Sequence, residues 1–200
     1  MSVLRISALS DSMWNSSDIA LRQKSRSVTA EDIASSWFHT FVSDLFETLY
    51  TTPSGVGLAA PQVGIQLRVV AIDINRDSKK PILLINPSYE PVGEEQEESS
   101  ESCLSVPGVV GNVCRYKCVK VKYQDICGSY KMVDYTGFLA VVMQHEIDHV
   151  DGILYVDRMK PGDTVITDAG HPNKLAVRTI QRLIEKANQN ETYEVEGKQT

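Results

Sequence analysis

Apolar residues recur every four positions from residue 33 to 49: Ile33, Trp37, Phe41, Leu45 and Leu49, with Phe38 and Val42 widening the face. That period predicts an amphipathic helix. Thr29-Ala-Glu-Asp32 precedes it as a capping box with Asp in the usual Glu position, and Pro53 bounds its end. The period then changes. Residues 67–74 (LRVVAIDI) and 81–85 are short apolar, β-branched runs bounded by turn residues, 119–123 alternates apolar with polar, and 129–133 follows a glycine. Each reads as a strand, and the acidic run at 94–98 as a solvated strand edge or loop. A second helix is expected over 136–150, with Phe138, Val141, Val142, His145 and His149 on one face and Gly152 as its stop. A third is expected over 172–188, whereas residues 1–29 are polar and irregular apart from a short helical stretch near 19–23. The order helix, short strands, helix, helix indicates an α+β fold. No repeat or Pro/Gly-rich linker divides the 200 residues, so a single domain is expected over 1–190 and a disordered tail over 191–200.

Composition narrows the class. The chain is 42% hydrophobic and 23% charged, ordinary for a globular protein, and no apolar run nears the ~18 residues of a membrane helix. The N-terminus MSVLRISALS lacks an apolar signal region, so a cytoplasmic protein is expected; Ser, Arg and Lys within the first 30 residues leave an organellar transit sequence open. The net charge of −6 argues against a general nucleic-acid binder, and hence against DNA as a partner, although Glu94, Glu95, Glu97 and Glu98 account for all but two of those charges. Cys103, Cys114, Cys118 and Cys127 suggest a reducing compartment. Cys114 and Cys118 suit alternate positions on a strand, and with Cys127 they are read as structural.

The strongest chemical signal is His145-Glu146-Ile147-Asp148-His149. Two histidines four apart on a helix lie ~40° apart around its axis, so both imidazoles can reach one ion. Glu146 between them can serve a water on that ion as general base. HExxH also occurs by chance on solvated helices. Here, however, the preceding Phe138-Leu-Ala-Val-Val-Met143 makes the helix largely buried, and buried polar groups need partners. The protease patterns built on HExxH are not completed: Tyr155 stands where the metzincin third histidine belongs. The remaining candidate ligand is Cys103 in Glu101-Ser-Cys-Leu-Ser-Val-Pro-Gly108, although a single cysteine is by default a small buried hydrophobe. Gly55-Val-Gly-Leu-Ala-Ala-Pro-Gln62 is a small-residue turn whose Gln62 amide can donate to a developing oxyanion.

Taken together and in this order, GVGLAAPQ, ESCLSVPG and QHEIDHVDG resemble the peptide deformylase family, whose three motifs are GxGxAAxQ, EGCLS and HExDH. The resemblance spans roughly residues 28–160. It implies short antiparallel sheets around a central helix bearing HExxH. It also implies one divalent metal held by Cys103, His145 and His149: Fe(II) in the cell, with zinc, nickel or cobalt also accepted. Glu146 would be the general acid/base, with the Gln62 side chain and the Leu104 backbone N–H as oxyanion donors. Val56, Gly57 and Gly108 would contact the substrate backbone, Val141 and Val142 the formyl-methionine side chain, and Glu101 would pair with Arg115. The expected reaction is hydrolysis of the N-formyl group of formyl-methionine on nascent polypeptides, releasing formate.

Ribosome docking would use the C-terminal helix, where Lys174, Arg178, Arg182 and Lys186 form a basic stripe; the bland alternative is a solvated face. The chain departs from the family at Ser102, in place of Gly, and at residues 11–18, which read as an insertion. Two rivals follow: a paralogue acting on another N-acyl substrate, and a ribosome-binding factor without catalysis. The second has no need of a complete ligand set and base.

Overall fold

In the computed structural model of the protein, residues 2–8, 20–78 and 80–160 are described. The expected helix over 172–188, its basic stripe, the tail and the insertion at 11–18 lie outside them. No helix among the described residues is long and apolar enough to cross a membrane.

The chain forms α1 (Ala30–Ala34), α2 (Ser36–Thr51), β1 (Gly57–Ala59), β2 (Val69–Ile72), β3 (Ile82–Pro91), β4 (Gln96–Cys103), β5 (Val106–Tyr116), β6 (Cys118–Gln124), β7 (Tyr130–Thr136) and α3 (Gly137–Val150). This is the expected mixed α+β arrangement. Five strands build one antiparallel sheet in the order β1-β2-β3-β6-β7, and β4 pairs with β5 in a separate two-stranded hairpin.

At β2 the sheet is covered on both faces, while β7 at its far edge is exposed. Val69 and Ala71 of β2 join the core beneath α2, with Phe38, Phe41, Leu45 and Leu49, while Val70 and Ile72 join the core beneath α3, with Ala140, Met143, Ile147 and Val150. Burial on both faces is why this stretch reads as a continuous apolar run rather than an alternation. By contrast, the hairpin has its own small cluster: Cys103, Val106, Val109 and Val113 pack against Leu154, Tyr155, Val156 and Met159.

Three expectations change. The helix predicted from residue 33 is two helices. Thr29 and Asp32 do form the capping box of α1, but Ser35 then leaves helical geometry (φ −81°, ψ 141°) and caps α2, its hydroxyl accepting from Phe38 N. The break turns Phe38 fully inward and leaves Trp37 half exposed. Second, the strand expected over 81–85 continues to Pro91, and 96–103 and 106–116 form a hairpin not anticipated as such; Glu97 and Glu98 lie on its exposed β4 edge. Third, Cys114 lies on β5 and Cys118 on β6, so they do not share a strand, and Cys114 is exposed.

Candidate active site

α3 carries two of the three candidate ligands. Thr136 leads into it in extended geometry, and its C-terminal turn closes at Gly152 with φ +77°. A side chain at Gly152 would put its Cβ 2.6 Å from the Arg22 carbonyl oxygen, so this stop tolerates only glycine. His145 and His149 lie one turn apart with ring centroids separated by 5.1 Å. Cys103 arrives from the other unit, at the end of β4, where the register against β5 shifts between Ser102 and Cys103. Its Sγ lies 3.3 Å from His149 Nε2, and one ligand atom from each of Cys103, His145 and His149 lies within 4.8 Å of the others.

Buried ion pairs fix this spacing. Arg115, 1% exposed, donates from Nε and Nη2 to the two oxygens of Glu101 at 2.7 and 2.9 Å. Glu101 Oε2 in turn lies 2.7 Å from His145 Nδ1. Burial pushes the Glu101 carboxyl up, but the bonds from Arg115 and His145 outweigh it and hold the group below the usual carboxylate range. An ionised Glu101 makes Nδ1 of His145 the protonated nitrogen, which leaves Nε2 for a metal. Arg115 Nη1 also donates to Asp148 at 2.6 Å, and Arg158 binds both oxygens of Asp148 at 2.6 Å. Tyr155 stacks on His145 at 5.8 Å and donates its hydroxyl to the Val109 carbonyl.

Glu146 is 5% exposed, and burial pushes its carboxyl up to about 7, with His145 pulling the other way. Its Oε2 is buried without a hydrogen-bond partner, as is Nδ1 of His149. Gly57 leaves room for it: a Cβ there would lie 2.4 Å from Glu146 Oε1. Across the cavity Gln62 sits in a 3-10 turn over Ala60–Val63. Its Oε1 accepts from Ala59 N at 2.8 Å, which fixes the amide so that Nε2 points to Ser105 Oγ at 3.2 Å and Cys103 Sγ at 3.6 Å.

A cavity of about 480 Å³ joins these parts. Gln62, Cys103, Leu104, His145 and Glu146 line it, together with the expected substrate-side residues Val56, Gly57, Gly108, Val141 and Val142. His149 lies behind this wall, 1% exposed. Phe138, expected on the buried face of the helix, is instead 60% exposed on the cavity rim, and sequence reasoning missed Ser105 beside Gln62 and the Asp148–Arg158 pair. Ser105 and Asp148 fall inside motifs already singled out, so only their roles were hidden, whereas nothing in the sequence ties Arg158 to the site.

The family described as polypeptide deformylase matches residues 11–165. The chain belongs to the polypeptide deformylase family. It is 44% identical over 144 residues to peptide deformylase 1 of Vibrio vulnificus, covering 72% of this chain and 83% of that protein. The structure of a peptide deformylase from Legionella pneumophila superposes with a TM-score of 0.72 at 32% identity, over 96% of this chain and 98% of that one. A Synechococcus elongatus deformylase in complex with actinonin gives 0.69 at 32% identity, over 92% and 86%. The protein is therefore a hydrolase of a metal-dependent family, and its Cys/His/His group fits a metal: soft sulfur and imidazole donors converge beside an unpartnered buried carboxylate oxygen.

Proposed function

We propose that Cys103, His145 and His149 hold one divalent ion, Fe(II) in the cell, at which the N-formyl group of nascent formyl-methionyl chains is hydrolysed. The convergence of the three donors on the wall of a cavity that also presents Glu146 carries this reading. Held by a thiolate and two neutral imidazoles, such an ion would keep a net charge of +1 and would supply Lewis acidity to the formyl oxygen and to a water. The chain's own groups do the rest. Glu146, held near neutrality by burial, takes the proton of the attacking water and delivers it to the leaving amine. Gln62 Nε2 and the Leu104 N–H donate to the oxygen that becomes negative as the carbonyl carbon turns tetrahedral. The products are formate and a chain with a free N-terminal methionine.

Two strand edges border the cavity, residues 55–57 leading into β1 and residues 99–103 of β4. An extended peptide between them would contact the backbone at Val56, Gly57 and Gly108, with the methionine side chain against Val141, Val142 and Phe138. Ribosome docking through Lys174, Arg178, Arg182 and Lys186, in the cytoplasm or an organelle, belongs to the same reading and rests on sequence alone; unchanged salt-sensitive cosedimentation after reversal of all four charges would remove it.

The test is formate release from formyl-Met-Ala-Ser by protein purified anaerobically, with its metal quantified. Glu146→Gln is expected to lower turnover by roughly 10²–10⁴-fold while the metal stays bound. Undiminished turnover in that variant takes Glu146 out of the mechanism. Bound metal without any turnover by the parent chain points instead to a different N-acyl substrate.

A further inference from the structure

Two polar residues sit on the buried face of α2 where the apolar stripe of Phe41, Leu45 and Leu49 would accept hydrophobes. Asp44 is 7% exposed and Thr48 1%, and no step of the reaction uses either. Polar groups on a buried face destabilise unless partnered. Their partners come from one place, the segment 2–8. Asp44 Oδ1 accepts from Ser2 N at 2.7 Å and Oδ2 from Ser2 Oγ at 2.8 Å. Those bonds hold the Asp44 carboxyl below its ordinary range. Thr48 Oγ1 accepts from Leu4 N at 2.8 Å while donating to the Asp44 carbonyl one turn back. Between these ties the side chains of Leu4 and Ile6 pack on the core beneath α2. The segment then reaches the active-site wall: Ser7 N donates to the Gln62 carbonyl at 2.6 Å.

We propose that residues 2–8 are a positioning strap: Asp44 and Thr48 fasten it to α2, and its Ser7 N–H fixes the Gln62 backbone and so aims the Gln62 amide. This rests on Gln62 being an oxyanion donor. Gln62 is held from both ends. Its side-chain oxygen is set by Ala59 N and its main-chain oxygen by Ser7 N, so Nε2 has little freedom to leave the reaction centre. A donor displaced by ~1 Å can forfeit up to about a hundredfold in rate without any change in the chemistry. Asp44 and Thr48 are positioning residues, since they touch neither substrate nor metal ligands.

The experiment is a double-mutant cycle on the full chain loaded with metal, read as kcat and KM for formyl-Met-Ala-Ser at a temperature where every variant is folded. Ser7→Pro deletes the N–H, and Ser7→Ala keeps it. Thr48→Val deletes the clasp without changing its shape, and Thr48→Ser restores the hydroxyl. Ser7→Pro and Thr48→Val are each expected to lower kcat by roughly ten- to a hundredfold, with KM and metal content unchanged, while Ser7→Ala and Thr48→Ser match the parent. In a Gln62→Ala background the same two substitutions are expected to produce no further loss, because the strap acts through Gln62. Parent-like kcat in both Ser7→Pro and Thr48→Val, even with lowered stability, overturns the strap as a positioning device. A loss of full size in the Gln62→Ala background overturns it as well, by showing that the strap acts elsewhere. Parent-like kcat in Gln62→Ala alone overturns the oxyanion role of Gln62, and the strap with it.

Discussion

The five-stranded sheet and the β4–β5 hairpin face each other across the cavity, and different forces hold them. The sheet is fixed by apolar burial: every residue of β2 is buried, and both faces meet a helix. The hairpin rests on one small cluster and is tied to α3 by Arg115, which grips Glu101 on β4 and Asp148 on the helix. Apolar burial is non-directional and scales with area, so it sets which layers stack. Charge-assisted, bidentate hydrogen bonds set angles and short distances. The candidate metal ligands straddle this seam, with Cys103 on the hairpin and both histidines on α3. The ion pairs therefore set the separation of the ligands, whereas the hydrophobic cores set where the helix lies.

Arg115→Met is expected to break this arrangement most severely. It strands Glu101 in a buried site without its bidentate cation and takes from Asp148 one of its two arginines, a loss of about 3–5 kcal/mol. It also leaves Glu101, the carboxylate that orients His145, without its anchor, which should weaken metal binding by roughly 10–100-fold. Leu45→Ala, in the core beneath α2, is expected to destabilise by about 2–5 kcal/mol through transfer and cavity terms while leaving metal affinity unchanged. Urea unfolding and competitive metal titration on both variants separate the two regions. Equal losses of metal affinity would mean that the seam is held no differently from the core.

This division also explains what the sequence revealed. The helix at 136–150, the β2 run and the α2 stripe were legible because period and hydrophobicity report burial directly. His145 and Glu146 were legible as candidates because donor chemistry is carried by residue type and spacing, whereas Cys103 and Gln62, weak signals alone, stood out through the resemblance of their motifs to the family's. The break at Ser35 was not, since a serine inside a four-residue period looks like an exposed helix position until its hydroxyl is seen capping Phe38 N. The hairpin was not, because β4 (QEESSESC) exposes most of one side and its inward residues are Glu101 and Cys103, which carry no apolar signal. The partners of Arg115 are 14 and 33 residues away in the chain, beyond any local pattern.

The smallest expected effect sharpens the comparison from the hairpin side. Ser102 precedes the Cys103 ligand where the family motif has glycine, and a glycine there need not mean a left-handed backbone. Among the described residues Asn86 is the only non-glycine with positive φ, so Ser102 adopts ordinary backbone geometry. Its side chain is exposed and lines the cavity opposite Val110 of β5 rather than pressing on a neighbour. The hairpin's position thus comes from Glu101 and Arg115, whose side chains point the other way, and not from position 102. Ser102→Gly is therefore expected to lower stability by only about 0.5–1 kcal/mol, the entropy of a strand glycine, and to leave kcat/KM for formyl-Met-Ala-Ser within roughly threefold of the parent, under 1 kcal/mol of transition-state stabilisation. A tenfold rise in kcat/KM on restoring glycine would show instead that the hydroxyl intrudes on the substrate path, and that this edge of the hairpin sets specificity as well as ligand geometry.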